Sequence, residues 1–201
     1  MTTPKPWEIE PSLQEARLRA LAGLMIDISN ECTKLHDEAA GDCKWSLGCR
    51  IYARVKNRLI ALTLRREWPW LKAYRQRTDL EFSIMIGSCL VQYYRGDADR
   101  PTSTHLARAE ETQRRFGFLL DDPDDAFSWF IVLERDPQNR AHQVVVQQAN
   151  SNCEIRNRWI AARATIAQDG IASMAKPAQD VGAPIITPKT DETESARKSV
   201  K

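Results

Sequence analysis

The spacing of apolar residues changes partway along this chain, and that change limits what it can fold into. Leu18, Leu21, Met25, Ile28, Cys32 and Leu35 recur at alternating steps of three and four, which places them on one face of a helix over about 11–39. Pro11 suits the first helical turn, where an N–H is not needed, and Gly41 suits the end. Trp45, Gly48, Ile51, Tyr52, Val55, Leu59 and Leu62 repeat the pattern to about residue 66, and Pro69 stops it. Two amphipathic helices on a short link pair most simply as a hairpin. Beyond residue 80 the step falls to two. Leu80, Phe82, Ile84 and Ile86 share one side of a strand, while Glu81, Ser83 and Met85 share the other. Gly87-Ser88 suits a tight turn, and 89–94 returns as a second strand.

The same alternation recurs at 127–134 and 141–147, around a turn at 136–139. Thr102-Ser-Thr104 offers an N-cap for a helix over about 104–118, and a short helix is expected over about 153–167. The expected fold is α+β: an N-terminal helical hairpin packed on a four-stranded antiparallel sheet made of two hairpins, with additional helices. Residues 1–10 read as an extended arm and 11–168 as a single domain. In 169–201, Pro177, Pro184 and Pro188 interrupt a run dominated by Lys, Asp, Glu, Ser and Thr. Such a segment buries too little apolar area to offset chain entropy and reads as a disordered tail.

Hydrophobic residues make up 42% of the chain, enough for a core of useful size. No run approaches the ~18–20 apolar residues of a membrane span, and the first residues lack the layout of an export signal. Cys32, Cys43, Cys49, Cys89 and Cys153 are odd in number and widely spaced, as reduced thiols of a cytoplasmic protein would be.

Charge is distributed unevenly. From Arg50 to Arg77 there are nine Lys/Arg and one acid, Glu67, a local net of +8 (9 − 1). Residues 78–155 hold seven Lys/Arg and thirteen Asp/Glu, a net of −6 (7 − 13). Arg50, Arg54, Arg58 and Arg65 cluster in one sector of the second helix, with Arg66 and Arg75 continuing the basic stretch. Arginines in such a strip offer bidentate hydrogen bonds to phosphate. Trp68 and Trp70 lie just beyond the helix, either as an exposed anchor for a partner or packed beneath the helix-to-sheet junction. Trp45, Trp129 and Trp159 fall within periodic apolar segments and are expected in the core.

Catalytic and metal signatures are sparse. Cys32, His36, Cys43 and Cys49 are zinc-compatible by type but lack a paired knuckle, so no metal and no cofactor is expected. Neither Asp97 with Asp99 nor the acidic run at 121–125 completes a calcium loop. His105 and His142 read as surface residues. There is no glycine-rich phosphate loop and no local hydrolase motif.

At Trp45-Ser-Leu-Gly48, Pro69-Trp-Leu71 and Gln92-Tyr-Tyr-Arg-Gly-Asp-Ala-Asp-Arg-Pro101 the chain resembles an uncharacterised bacterial protein family whose members carry a similar aromatic-Arg-Gly turn after a sheet strand. The resemblance spans about 40–150. It implies no activity, and no site residue follows from it. The residues themselves favour a non-enzymatic accessory or regulatory binding module. Its basic surface at 50–77 would take nucleic acid or an acidic protein partner, with no role for a membrane. The alternative is an enzyme with a non-contiguous site, for example metal-assisted hydrolysis near Asp97 and Asp99.

Overall fold

The computed structural model describes residues 3–75, 82–101, 127–138, 140–150 and 153–164, with 74, 75 and 82 described at the backbone alone. The chain divides into two units, Met1–Thr165 and Ile166–Lys201, and every described residue belongs to the first. The described residues hold three helices, α1 (Pro6–Ile9), α2 (Glu15–Lys34) and α3 (Lys44–Leu64). Six strands follow: β1 (Leu71–Arg75), β2 (Phe82–Ile86), β3 (Cys89–Arg95), β4 (Ser128–Arg135), β5 (Ala141–Ala149) and β6 (Ile155–Arg163). They form one mixed sheet in sequence order, antiparallel throughout except for the central pair, where β3 and β4 run parallel.

The period-2 pattern sorts side chains onto two faces. Cys89, Val91 and Tyr93 of β3, Trp129, Ile131 and Leu133 of β4, and Val144 and Val146 of β5 share one core with the inward residues of α2 and α3. Leu21, Met25 and Cys32 of α2 and Ile51, Val55 and Leu59 of α3 are fully buried there, as their three-and-four spacing requires. The opposite face carries a second cluster of Tyr94, Ala98, Phe130, Val132, Val145 and Ala149. No helix among the described residues is long and apolar enough to cross a membrane.

Both expected hairpins form, β2–β3 around Gly87 and β4–β5 around the turn after Arg135. The four-stranded antiparallel sheet is corrected to six strands with a parallel centre. Residues 153–167, expected as a helix, hold β6. Pairing with β5 outweighs the helix preference of its alanines, since β structure is decided by neighbours more than by intrinsic preference. β1 was not foreseen, because five residues, Leu71–Arg75, are too short a run to establish a period of two. Register shifts interrupt the β5–β6 ladder between Val144 and Val145 and between Gln148 and Ala149.

Helix limits also move. The arm contains α1, and Pro11 lies in a turn before α2. At its other end α2 stops short of residue 39. The Asp37 carboxylate accepts the N–H of Ala39 at 2.9 Å and of Ala40 at 3.2 Å, offering the backbone an alternative to the helix. Trp45 is corrected from core to surface, being 76% exposed at the start of α3. Trp129 is buried, and Trp159 packs edge-on against Trp7 with ring centroids 5.1 Å apart. The expected helix over 104–118, the acidic run at 121–125, His105 and the tail at 169–201 lie outside the described residues.

The β2–β3 turn ties the sheet to the segment before α2. Gly87 has φ +62°, and a Cβ there would lie 2.9 Å from Ser12 Oγ, which also accepts the Ser88 N–H at 3.3 Å. Gly87→Ala is expected to cost about 1–3 kcal/mol, combining left-handed strain with the displaced Ser12. Urea denaturation would show it as a lower midpoint at unchanged slope.

Candidate functional site

α3 carries Lys44, Arg50, Arg54, Lys56 and Arg58 and no acidic residue. Its geometry divides them. Lys56 turns inward and is 5% exposed. Arg50 is held by Asp42, with Nη2 donating to Oδ1 at 2.9 Å and Oδ2 at 3.0 Å while Nη1 donates to the Leu35 carbonyl at 3.0 Å. Arg50 therefore ties the α2–α3 connection together, which corrects its place in an exposed strip. Asp42 is held below its usual range, first by the Asp37 N–H and then by Arg50. Arg54 and Arg58 are exposed one turn apart, and neither forms an ion pair among the described residues.

The strip continues past the helix end. Arg65 is the C-cap, its Nη1 3.5 Å from Glu67 and its side chain 67% exposed. Arg66 follows at φ 56°. Its N–H donates to Thr63 O and the Glu67 N–H to Leu62 O, both at 3.1 Å, closing the orphan carbonyls of α3 in a Schellman turn. Glycine is usual in that conformation, and an arginine costs about 1 kcal/mol there. Arg75 ends β1, described at the backbone alone. Trp68 and Trp70 are half-buried, stacked on each other at 5.1 Å and packed against the core, with Arg17 5.7 Å over Trp70. This is the junction-filling arrangement.

At the other end of α3, Cys43 is the N-cap, and Ser46 Oγ accepts its N–H at 2.9 Å. The exposed thiol is held below its ordinary value, first by the Ser46 N–H and then by that of Trp45. Cys32 and Cys89 are pushed up by burial, Cys89 to about 12. Cys43 and Cys49 are exposed while Cys32 is buried, and no three His, Cys, Asp or Glu side chains among the described residues are placed to share a metal ion.

A cavity of about 460 Å³ opens where β3 and β4 end, lined by Gly96, Asp97 and Asp99 from one turn, by Glu134, Arg135 and Asp136, and by Lys44, Gln143 and Arg158. Its carboxylates are engaged. Glu134, only 9% exposed, accepts from the Ala98 N–H at 3.0 Å, from Gln143 Nε2 at 2.5 Å and from Arg158 Nη2 at 3.3 Å. Arg158 Nη1 also donates to Asp99, Asp97 Oδ1 accepts the Asp99 N–H at 2.9 Å, and Asp136 pairs with Arg140 at 2.9 Å. The exposed His142 is not among the lining residues. Asp97 and Asp99 thus border a cavity, as the enzyme reading needs, but are spent on holding its turn. The cavity was missed from sequence. A carboxylate at the inward position after Phe130 and Val132 was the available signal.

Comparison with protein-family models, with curated proteins and with solved structures finds no match.

Two outcomes follow from α3's ends. Arg66→Gly is expected to stabilise the fold by about 0.5–1 kcal/mol in chemical denaturation, since it relieves the left-handed strain. In limited alkylation below pH 9, Cys43 is expected to react first among the described thiols and Cys89 last. Equal rates at Cys43 and Cys49 would contradict the capped thiol.

Proposed function

We propose that the protein is a non-enzymatic binding module that takes nucleic acid along the outer face of α3 and the turn after it. The observation that carries this reading is the pair Arg54 and Arg58, exposed on successive turns of a helix without acids and unpaired among the described residues. Guanidiniums four residues apart lie about 6 Å apart along the axis and repel each other. A polyanion relieves that repulsion and receives two donor forks. Arg66, kept where glycine would be less strained, adds a third cation at the helix end. Trp45, exposed at the other end, offers a face on which a base can stack. The reading places the protein in the cytoplasm, where five free thiols stay reduced.

An enzyme centred on Asp97 and Asp99 is the second reading, favoured by the cavity they border. It is weaker because Arg158 and the turn amides occupy the carboxylates.

Anisotropy of a labelled single-stranded oligonucleotide tests the proposal. Affinity is expected to fall steeply with salt, by a slope of about 0.7 per phosphate contacted. Arg54→Glu with Arg58→Glu should weaken binding at least tenfold and lower that slope by about 1.4, with the melting temperature unchanged. Affinity unaltered by the double change would refute the α3 surface. Capture of an acidic protein in nuclease-treated lysate, with no oligonucleotide bound, would replace nucleic acid by a protein partner.

A further inference from the structure

Arg95 closes β3 on the face that carries Cys89, Val91 and Tyr93, so its side chain runs beneath α3. The guanidinium lies against Gly48, where a Cβ would sit 3.0 Å from Nη1. The absence of a side chain at Gly48 is therefore what admits it. Its Nε and Nη2 are buried and have no hydrogen-bond acceptor among the described residues. Burial lowers the Arg95 pKa, and the groups nearest in charge are Tyr93, Arg135, Cys32 and Cys49; no carboxylate is among them. Arg135, on the same face two residues beyond the partner of Arg95 in the ladder, adds like charge. Gly96, the residue after Arg95, lines the neighbouring cavity with Lys44 and Arg135. The cavity's carboxylates, Asp97, Asp99, Glu134 and Asp136, already accept from Arg158, Arg140, Gln143 and the turn amides, and Arg95 lies behind the cavity rather than in its lining.

A guanidinium stays protonated at any ordinary pH, so it cannot escape burial by losing its charge as a lysine can. Buried donors without acceptors are rare in native proteins and point to a missing partner. Nε and Nη2 form a single edge of the guanidinium fork, and that edge matches two oxygens of one tetrahedral or planar oxyanion. We propose that Arg95, with Arg135 and Lys44 at the adjoining cavity, forms a binding site for a small oxyanion, a free phosphate or the phosphate end of a monoester. The donors lie buried beneath α3, so the oxyanion must be a terminal group that can enter from the adjoining cavity, which an internal phosphodiester of a polymer cannot do. It is separate from the outer face of α3.

Thermal unfolding of the full chain in inorganic phosphate, against sodium chloride of matched ionic strength, tests it. Tm is expected to rise by about 3–6 °C at roughly ten times the dissociation constant of phosphate. Arg95→Met keeps the shape and removes the charge. It is expected to melt no lower than the wild type in chloride and to lose the phosphate response. Arg54→Glu with Arg58→Glu is expected to keep that response, which separates this site from the nucleic-acid surface. Phosphorus-31 line broadening of inorganic phosphate by the wild type reads binding without relying on the Met variant, and Arg95→Lys, which keeps the charge and loses the fork, should weaken it several-fold. Equal Tm in phosphate and chloride, no broadening by the wild type, or a phosphate shift retained by Arg95→Met would overturn the site.

Discussion

The parallel pairing of β3 with β4 is the interaction on which the rest of this fold depends. Each hairpin alone is a marginal structure, since two strands bury too little on their own. Joined by the register Val91↔Trp129, Tyr93↔Ile131 and Arg95↔Leu133, they present one floor to α2 and α3. The same pairing brings two strand ends together. The Gly96 N–H reaches Leu133 O at 3.2 Å, and the turn that follows is pinned by Glu134 through Ala98. Arg95, Arg135 and the acidic rim of the cavity owe their proximity to that shared end. An antiparallel joint would have sent these charges to opposite ends of the sheet.

Local pattern carried the helices and hairpins, and it failed where partners decide. The period of three and four located α2 and α3 because one face of each is buried, and the alternation at 82–94 and 128–147 located four strands for the same reason. The parallel joint left no mark, because both hairpins look the same whichever way they meet. β6 carries arginines and alanines on a half-exposed strand, and only β5 makes it a strand. For the basic surface, sequence located Arg54 and Arg58, yet could not separate them from Arg50, whose partner Asp42 lies across the helix connection. Arg95 was legible only as part of an aromatic-Arg-Gly turn. Its burial beneath Gly48 is a tertiary fact.

The charge on α3 has an internal logic. Cations one turn apart each cost a few tenths of a kcal/mol, and a core-facing helix has no need of five. The structure relieves the strain at one end through Asp42, while Arg54 and Arg58 have no ion-pair partner among the described residues. The packed inner face of α3 supplies the stability that an isolated helix of this composition would lack.

The sheet is open, and among the described strands β6 has no neighbour on its outer side. A nine-residue edge is a template for another chain. Here the two breaks in register against β5 increase the local twist of the strand, and the exposed Arg156 and Arg163 set like charges along it. A second β6 approaching edge to edge would meet a bent, cationic rim. The irregular pairing that hides this strand in the sequence is thus also a feature that disfavours its extension by a second chain.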